Sequence, residues 1–93
     1  MRHFRDRIPL YYGSDGATAI AALDAIATAA SGMDLDTVVA RLDLVAAIAP
    51  VDRSTVRQVL TTLADDHYLV SDADGVRTFA FPLVRRAWIA TGR

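Results

Sequence analysis

The chain contains no cysteine, lysine, glutamate or asparagine. Without cysteine there are no disulfides, no thiolate metal sites and no cysteine nucleophile, and nothing in cysteine usage points to secretion, so the cytoplasm is the expected compartment. Without lysine, the phosphate-binding loop of a P-loop nucleotide site cannot be built, because that site needs a lysine reaching the outer phosphates beside a glycine-rich backbone cradle. The pair Gly13 and Gly16 is therefore read as a turn. Charge of one sign is also missing: ten Arg against eleven Asp leave a formal net charge of −1, so no global field draws the chain to nucleic acid or anionic lipid. All cationic side chains other than the two histidines being Arg, and all acidic ones Asp, reads as compositional bias of the genome. The longest apolar stretch, 17–30, is broken by Asp24 and too short to span a bilayer, and no signal-peptide core follows the N-terminal arginines.

What is present is a globular composition on the scale of one small domain: 93 residues, 53% apolar and 23% charged. The apolar share exceeds what a solitary domain of this size needs, so part of it is expected to face a partner. Residues 1–13 mix Arg, Asp and His with Phe4, Ile8, Leu10, Tyr11 and Tyr12, with Pro9 restricting any helix, and are read as a lead-in. Residues 14–93 form the domain. Ile20, Leu23, Ala27 and Ala30 recur at helical spacing, predicting a helix from about Asp15 to Ala30 with Gly32 as a stop. Asp34 or Asp36 can cap a second helical region bearing Val38, Val39, Leu42, Val45 and Ile48, as one helix or two, ended by Pro50. Asp52 then caps the clearest amphipathic segment, with Val56, Val59, Leu60 and Leu63 on one stripe and Arg53, Arg57, Gln58, Thr61 and Thr62 opposite.

After Asp66 the pattern changes to Tyr68, Leu69 and Val70, then Asp74 and Gly75, then 76–81, which predicts a β-hairpin with Phe79 and Phe81 on one side of its second strand. Pro82 suits the first turn of a short final helix with Val84 and Trp88 one turn apart. The expected fold is mainly α with a small hairpin: a winged helix-turn-helix with a three-helix core, a two-stranded wing and a C-terminal helix. Its core is expected from Ile20, Leu23, Leu42, Val56, Leu60, Leu63, Leu69, Phe79 and Trp88.

The run "STVRQVLTTLADDHYLVSDADGVRTFAFPLVRRAWI" resembles the C-terminal winged-helix domain of AAA+ and STAND-type ATP-binding proteins. The family's third helix typically ends on leucine followed by Asp-(Gly/His)-Tyr-Leu, here Leu63, Asp66, His67, Tyr68 and Leu69. Its wing returns through an aromatic strand into a pattern like Phe-x-x-Pro-Leu-x-Arg-x-Trp, here Phe79 and Phe81 through Pro82, Leu83, Arg85 or Arg86, and Trp88. Upstream, "HFRDRIPLYYGSDGATAIAALDAIA" is similar to the join between a helical lid and the first winged-helix helix. The resemblance implies that residues 1–13 end a preceding lid domain, that nucleotide chemistry lies elsewhere in a larger ATPase, and that this segment is an accessory domain without cofactor or catalytic residue.

Other sites read weakly. His3 and His67 have no third ligand at metal-site spacing. Ser54 and Thr55 lack a sequence-local base and belong to a helix start. Asp72 and Asp74 suit a hairpin turn better than a catalytic carboxylate pair. The alternative to an accessory domain is a DNA-binding regulator. In that reading the 52–66 helix enters the major groove, Ser54, Arg57, Gln58 and Thr61 meet base edges and phosphates, and Arg77 approaches phosphate from the wing. That surface is net acidic, with two Arg and three Asp on the helix segment, which weakens the phosphate term. The intermediate reading assigns Arg53, Arg57, Arg85 and Arg86 to interdomain or partner-protein contacts, for which the planar guanidinium is well suited. Self-association of the isolated domain is expected to use Leu10, Tyr11, Tyr12 and Trp88.

Overall fold

The structure, a computed structural model, describes residues 12–29 and 31–91. Among these residues, four α-helices and a two-stranded antiparallel sheet follow a 3-10 turn at Gly13–Asp15: α1 Gly16–Ala27, α2 Leu35–Leu42, α3 Arg53–Asp65, β1 Leu69–Ser71, β2 Arg77–Phe79 and α4 Pro82–Thr91. The described chain is mainly helical and its Cα radius of gyration is 12.0 Å, close to what a compact domain of this length should have.

The starts of α2 and α3 are capped by aspartates. Asp34 accepts from the Thr37 backbone N–H at 2.8 Å and Asp52 from that of Thr55 at 3.2 Å, each satisfying one of the donors that a helix N-terminus leaves without an intrahelical partner. Of the two aspartates able to cap α2, Asp34 does so. The hydrogen bond from Thr37 holds the Asp34 carboxyl below the ordinary carboxylate range. The end of α3 is a Schellman closure: Tyr68 N–H donates to Leu63 C=O and His67 N–H to Ala64 C=O, both at 3.0 Å. That closure needs a left-handed residue after the cap. His67 occupies it, at φ 68°, a position at which glycine carries no Cβ penalty. The motif Asp-(Gly/His)-Tyr-Leu thus has a local backbone reason.

Several expected boundaries are corrected. The first helix stops at Ala27 instead of Ala30, where the Thr28 hydroxyl folds back onto the Ala25 carbonyl at 2.8 Å. Gly32 therefore stops no helix. It adopts φ +86°, and a Cβ there would lie 2.6 Å from the Arg77 carbonyl oxygen, so glycine is required by close backbone approach. The second helical region is one helix ending at Leu42, after which the chain runs in turns past the cis Ala49–Pro50 bond. Val45 leaves the core and Ile48 only borders it. The second strand ends at Phe79, and Phe81, whose carbonyl accepts from Val84 and Arg85 N–H, turns outward at the start of α4.

The core is built around α1, whose Ala19, Ala22, Leu23 and Ile26 are sealed from solvent together with Val38, Leu42, Val56, Leu60, Leu63, Leu69 and Trp88. Ile20 is half-buried at its edge. α1 touches α2, α3, α4 and β2. In the hairpin Leu69 pairs with Phe79, Val70 with Thr78 and Ser71 with Arg77, which turns Leu69 and Phe79 inward together. Met33 adds a one-residue bridge on the far side of β2: its N–H donates to the Arg77 carbonyl at 3.0 Å and its carbonyl accepts from Arg77 N–H at 2.7 Å. At the hairpin turn, the Asp72 carboxylate accepts from Asp74 N–H at 2.9 Å and Val76 N–H at 3.0 Å, the local role expected of a turn aspartate.

Candidate functional interface

Ser54, Arg57, Gln58 and Thr61 lie at i, i+3, i+4 and i+7 on α3, and all four are exposed. The buried stripe Val56, Val59, Leu60 and Leu63 fixes this orientation, since burying each such side chain is worth roughly 1.5–3 kcal/mol before entropy losses. The hydroxyl of Thr61 donates to the Arg57 carbonyl at 3.0 Å, which leaves its oxygen as an acceptor towards solvent. Thr55, one residue along, is held by Asp52 through both its N–H and its hydroxyl, so its oxygen is structural.

The other sequence-predicted contacts do not join this face as a set. Arg53 forms an ion pair with Asp36 of α2, joining the starts of the two helices. Both partners are exposed, so the pair contributes little stability but lowers the net positive charge the surface can offer. Arg77 is half-buried, and its guanidinium donates to the Gly75 carbonyl at 2.9 Å within the hairpin turn. Arg85 donates from Nε to the carbonyl of Ala27 at 2.9 Å, satisfying an end carbonyl of α1. Arg85 thus fastens α4 across the end of α1, an internal role the sequence reading missed. Arg86 is exposed, and neither Arg57 nor Arg86 has a carboxylate partner among the described residues.

Of the four expected self-association residues, Tyr12 and Trp88 are described, and both are engaged within the fold. Trp88 is 1% exposed and donates from its indole N–H to Asp24 at 2.8 Å; it is core, as its other assignment required. Tyr12 is half-buried and its hydroxyl donates to Asp66 at 2.7 Å. Burial and that hydrogen bond push the Tyr12 phenol well above its ordinary value. Leu10, Tyr11, His3 and the rest of residues 1–11 lie outside the described residues. Large apolar side chains are exposed elsewhere: Leu44 at 80%, Leu83 at 72%, Phe81 at 58% and Val70 at 50%. Among the described residues no group of three or more His, Asp or Glu side chains is placed to hold a metal ion, and no helix is long and apolar enough to cross a membrane.

Comparison with protein-family models, with curated proteins and with solved structures finds no match to this chain. The functional reading therefore rests on the residues and their arrangement.

Proposed function

We propose that this chain is a noncatalytic winged-helix module that acts by contact, as an accessory domain of a larger ATP-binding protein. The winged-helix part is supported by the order of elements: three helices, then a hairpin whose inner face rests on them, with Met33 stitching the α1–α2 connection to β2. An isolated hairpin is only marginally stable, and here Leu69 and Phe79 are covered by the helices.

One observation carries the contact role. Phe81 and Leu83 flank Pro82 at the start of α4, 58% and 72% exposed, inside the segment that resembles ATPase winged-helix domains. An aromatic and an aliphatic side chain side by side on solvent are matched to a protein neighbour. The exposed Arg86 on the same helix supplies a cation for the rim of that contact. In this reading the neighbour is the remainder of the ATPase chain or a partner protein, and nucleotide is bound there.

A DNA-binding reading is favoured by a separate observation, the shared exposed face of Ser54, Arg57, Gln58 and Thr61 on α3. Arg57 can read guanine and Gln58 adenine. Against it, Arg53 is committed to Asp36, Arg77 to the hairpin turn and Arg85 to α1, leaving few cations for phosphate among the described residues.

Two measurements separate the readings. A fluorescence-anisotropy titration with mixed-sequence duplexes at low salt gives no saturable binding for an accessory domain. A regulator binds, weakens as salt rises, and loses affinity in Arg57→Ala. The reading frame around this segment is the second measurement: a glycine-rich loop with its lysine upstream supports the accessory domain, and a frame confined to this segment removes it.

A further inference from the structure

Gly13 and Gly16 bound the short turn through which the chain enters α1. The turn is closed by the Gly16 N–H, which donates to the Gly13 carbonyl. That bond lies on the α1 side of Gly13, so rotation about the Gly13 N–Cα bond carries Tyr12 away and leaves the turn intact. Gly13 stands at φ +54° with nothing within 4 Å of where a Cβ would be, and glycine adopts either sign of φ about equally readily. A hinge is available at this one bond.

Tyr12 holds that hinge in one position. Its ring packs against the core, and its hydroxyl donates to the Asp66 carboxylate at 2.7 Å, across 54 positions of sequence. Asp66 is the cap residue at the C-terminal end of α3, where the helix dipole disfavours an anion. The helix gains nothing from this carboxylate, whose hydrogen bond among the described residues is to Tyr12. We infer that Tyr12 and Asp66 form a latch on a hinge at Gly13, which fixes the direction in which the chain enters the domain relative to α3 while closed and frees it when open. In the accessory-domain reading the latch sets the angle between the module and whatever precedes it. The latch itself uses only residues of this chain, so it stands or falls separately from that reading.

NMR of the whole chain tests this through the Tyr12 ring resonances, because the ring lies against the core when the latch is closed and in solvent when it is open. Asp66→Ala removes the acceptor and should multiply the open population about two- to ten-fold, the worth of one net hydrogen bond, moving the Tyr12 ring resonances towards those of a solvent-exposed tyrosine. Asp66→Asn keeps an acceptor and should stay near the unsubstituted protein. Gly13→Ala touches neither partner, yet it disfavours the left-handed φ and should move the same resonances along the same line, as one shifted equilibrium does. The methyl resonances of Val38 and Leu42, core residues on α2, should hold their positions in all three variants. Tyr12 resonances indifferent to Asp66→Ala overturn the latch, and resonances that answer Asp66→Ala but not Gly13→Ala overturn the hinge. Movement at Val38 and Leu42 overturns both, since the whole core then loosens and Tyr12 is an ordinary part of it.

Discussion

Replacing Gly32 by alanine combines two separable costs. The residue sits at φ +86°, where an L side chain is strained by roughly 1–2 kcal/mol. In addition, the new Cβ would stand 2.6 Å from the Arg77 carbonyl oxygen, 2.6 Å from Thr78 Cγ2 and 2.7 Å from Val76 Cγ1. Two of those atoms belong to β-branched side chains and one to backbone tied to Met33, so relief requires the hairpin to move away from the 31–33 segment. Overpacking of this kind costs about 1–3 kcal/mol more. Gly75 is the control: its φ is +80°, but nothing lies within 4 Å of the added Cβ, so Gly75→Ala should show only the backbone part. In urea unfolding, Gly32→Ala should lose roughly 2–5 kcal/mol and Gly75→Ala roughly 1–2 kcal/mol. Against the total of about 5–15 kcal/mol usual for a domain, the first loss is severe and the second tolerable. Equal losses in the two variants would refute the claim that the 31–33 segment and the hairpin are in contact.

Asp52→Ala removes the acceptor for both Thr55 groups and should cost about 1 kcal/mol, read from the same unfolding curves, with Asp52→Ser recovering much of it. His67→Gly should stabilise by roughly 0.5–1 kcal/mol in thermal unfolding, because the left-handed position at the end of α3 carries a Cβ it does not need. Trp88→Phe leaves a void and removes the indole donor to Asp24, for a loss of roughly 2–4 kcal/mol, whereas Asp24→Asn keeps an acceptor and should cost well under half of that. The phenol of Tyr12 is raised above its ordinary value of 10.0. The unfolded chain therefore ionises first on alkalinisation, so stability is full below about pH 10 and falls as pH rises above it. Tyr12→Phe should flatten that fall in pH-dependent urea titrations.

The parts of the fold that were legible are those in which chemistry and periodicity agree. Asp52, the stripe from Val56 to Leu63 and the Asp72–Gly75 turn each combine a local polar requirement with a spacing, and each occupies its expected place. Periodicity alone misled beyond Leu42, since Val45 keeps helical spacing although the helix has ended there and Asp43 has turned its carboxylate to the Val51 N–H at 2.9 Å. Alternation likewise paired Phe81 with Phe79, but the strand had already ended before the cap of α4. The Met33 bridge was invisible because a single residue has no period. On the candidate interface, the outward face of α3 was readable from its buried opposite. The commitments of Arg53 and Arg85 were not, because each depends on a neighbour brought in by tertiary structure, and that of Arg77 depends on how the turn aims the Gly75 carbonyl.

A helix of mostly alanine and small residues at the centre of the molecule has consequences for how the sequence can drift. Ala19 and Ala22 are wholly enclosed, so a larger side chain at either would wedge against several partners at once, and no single compensating change could absorb it. Variation should accumulate on the outer helices, where neighbours are few, while the axle stays narrow. The shape of this protein is set as much by the atoms its central helix omits as by those it carries.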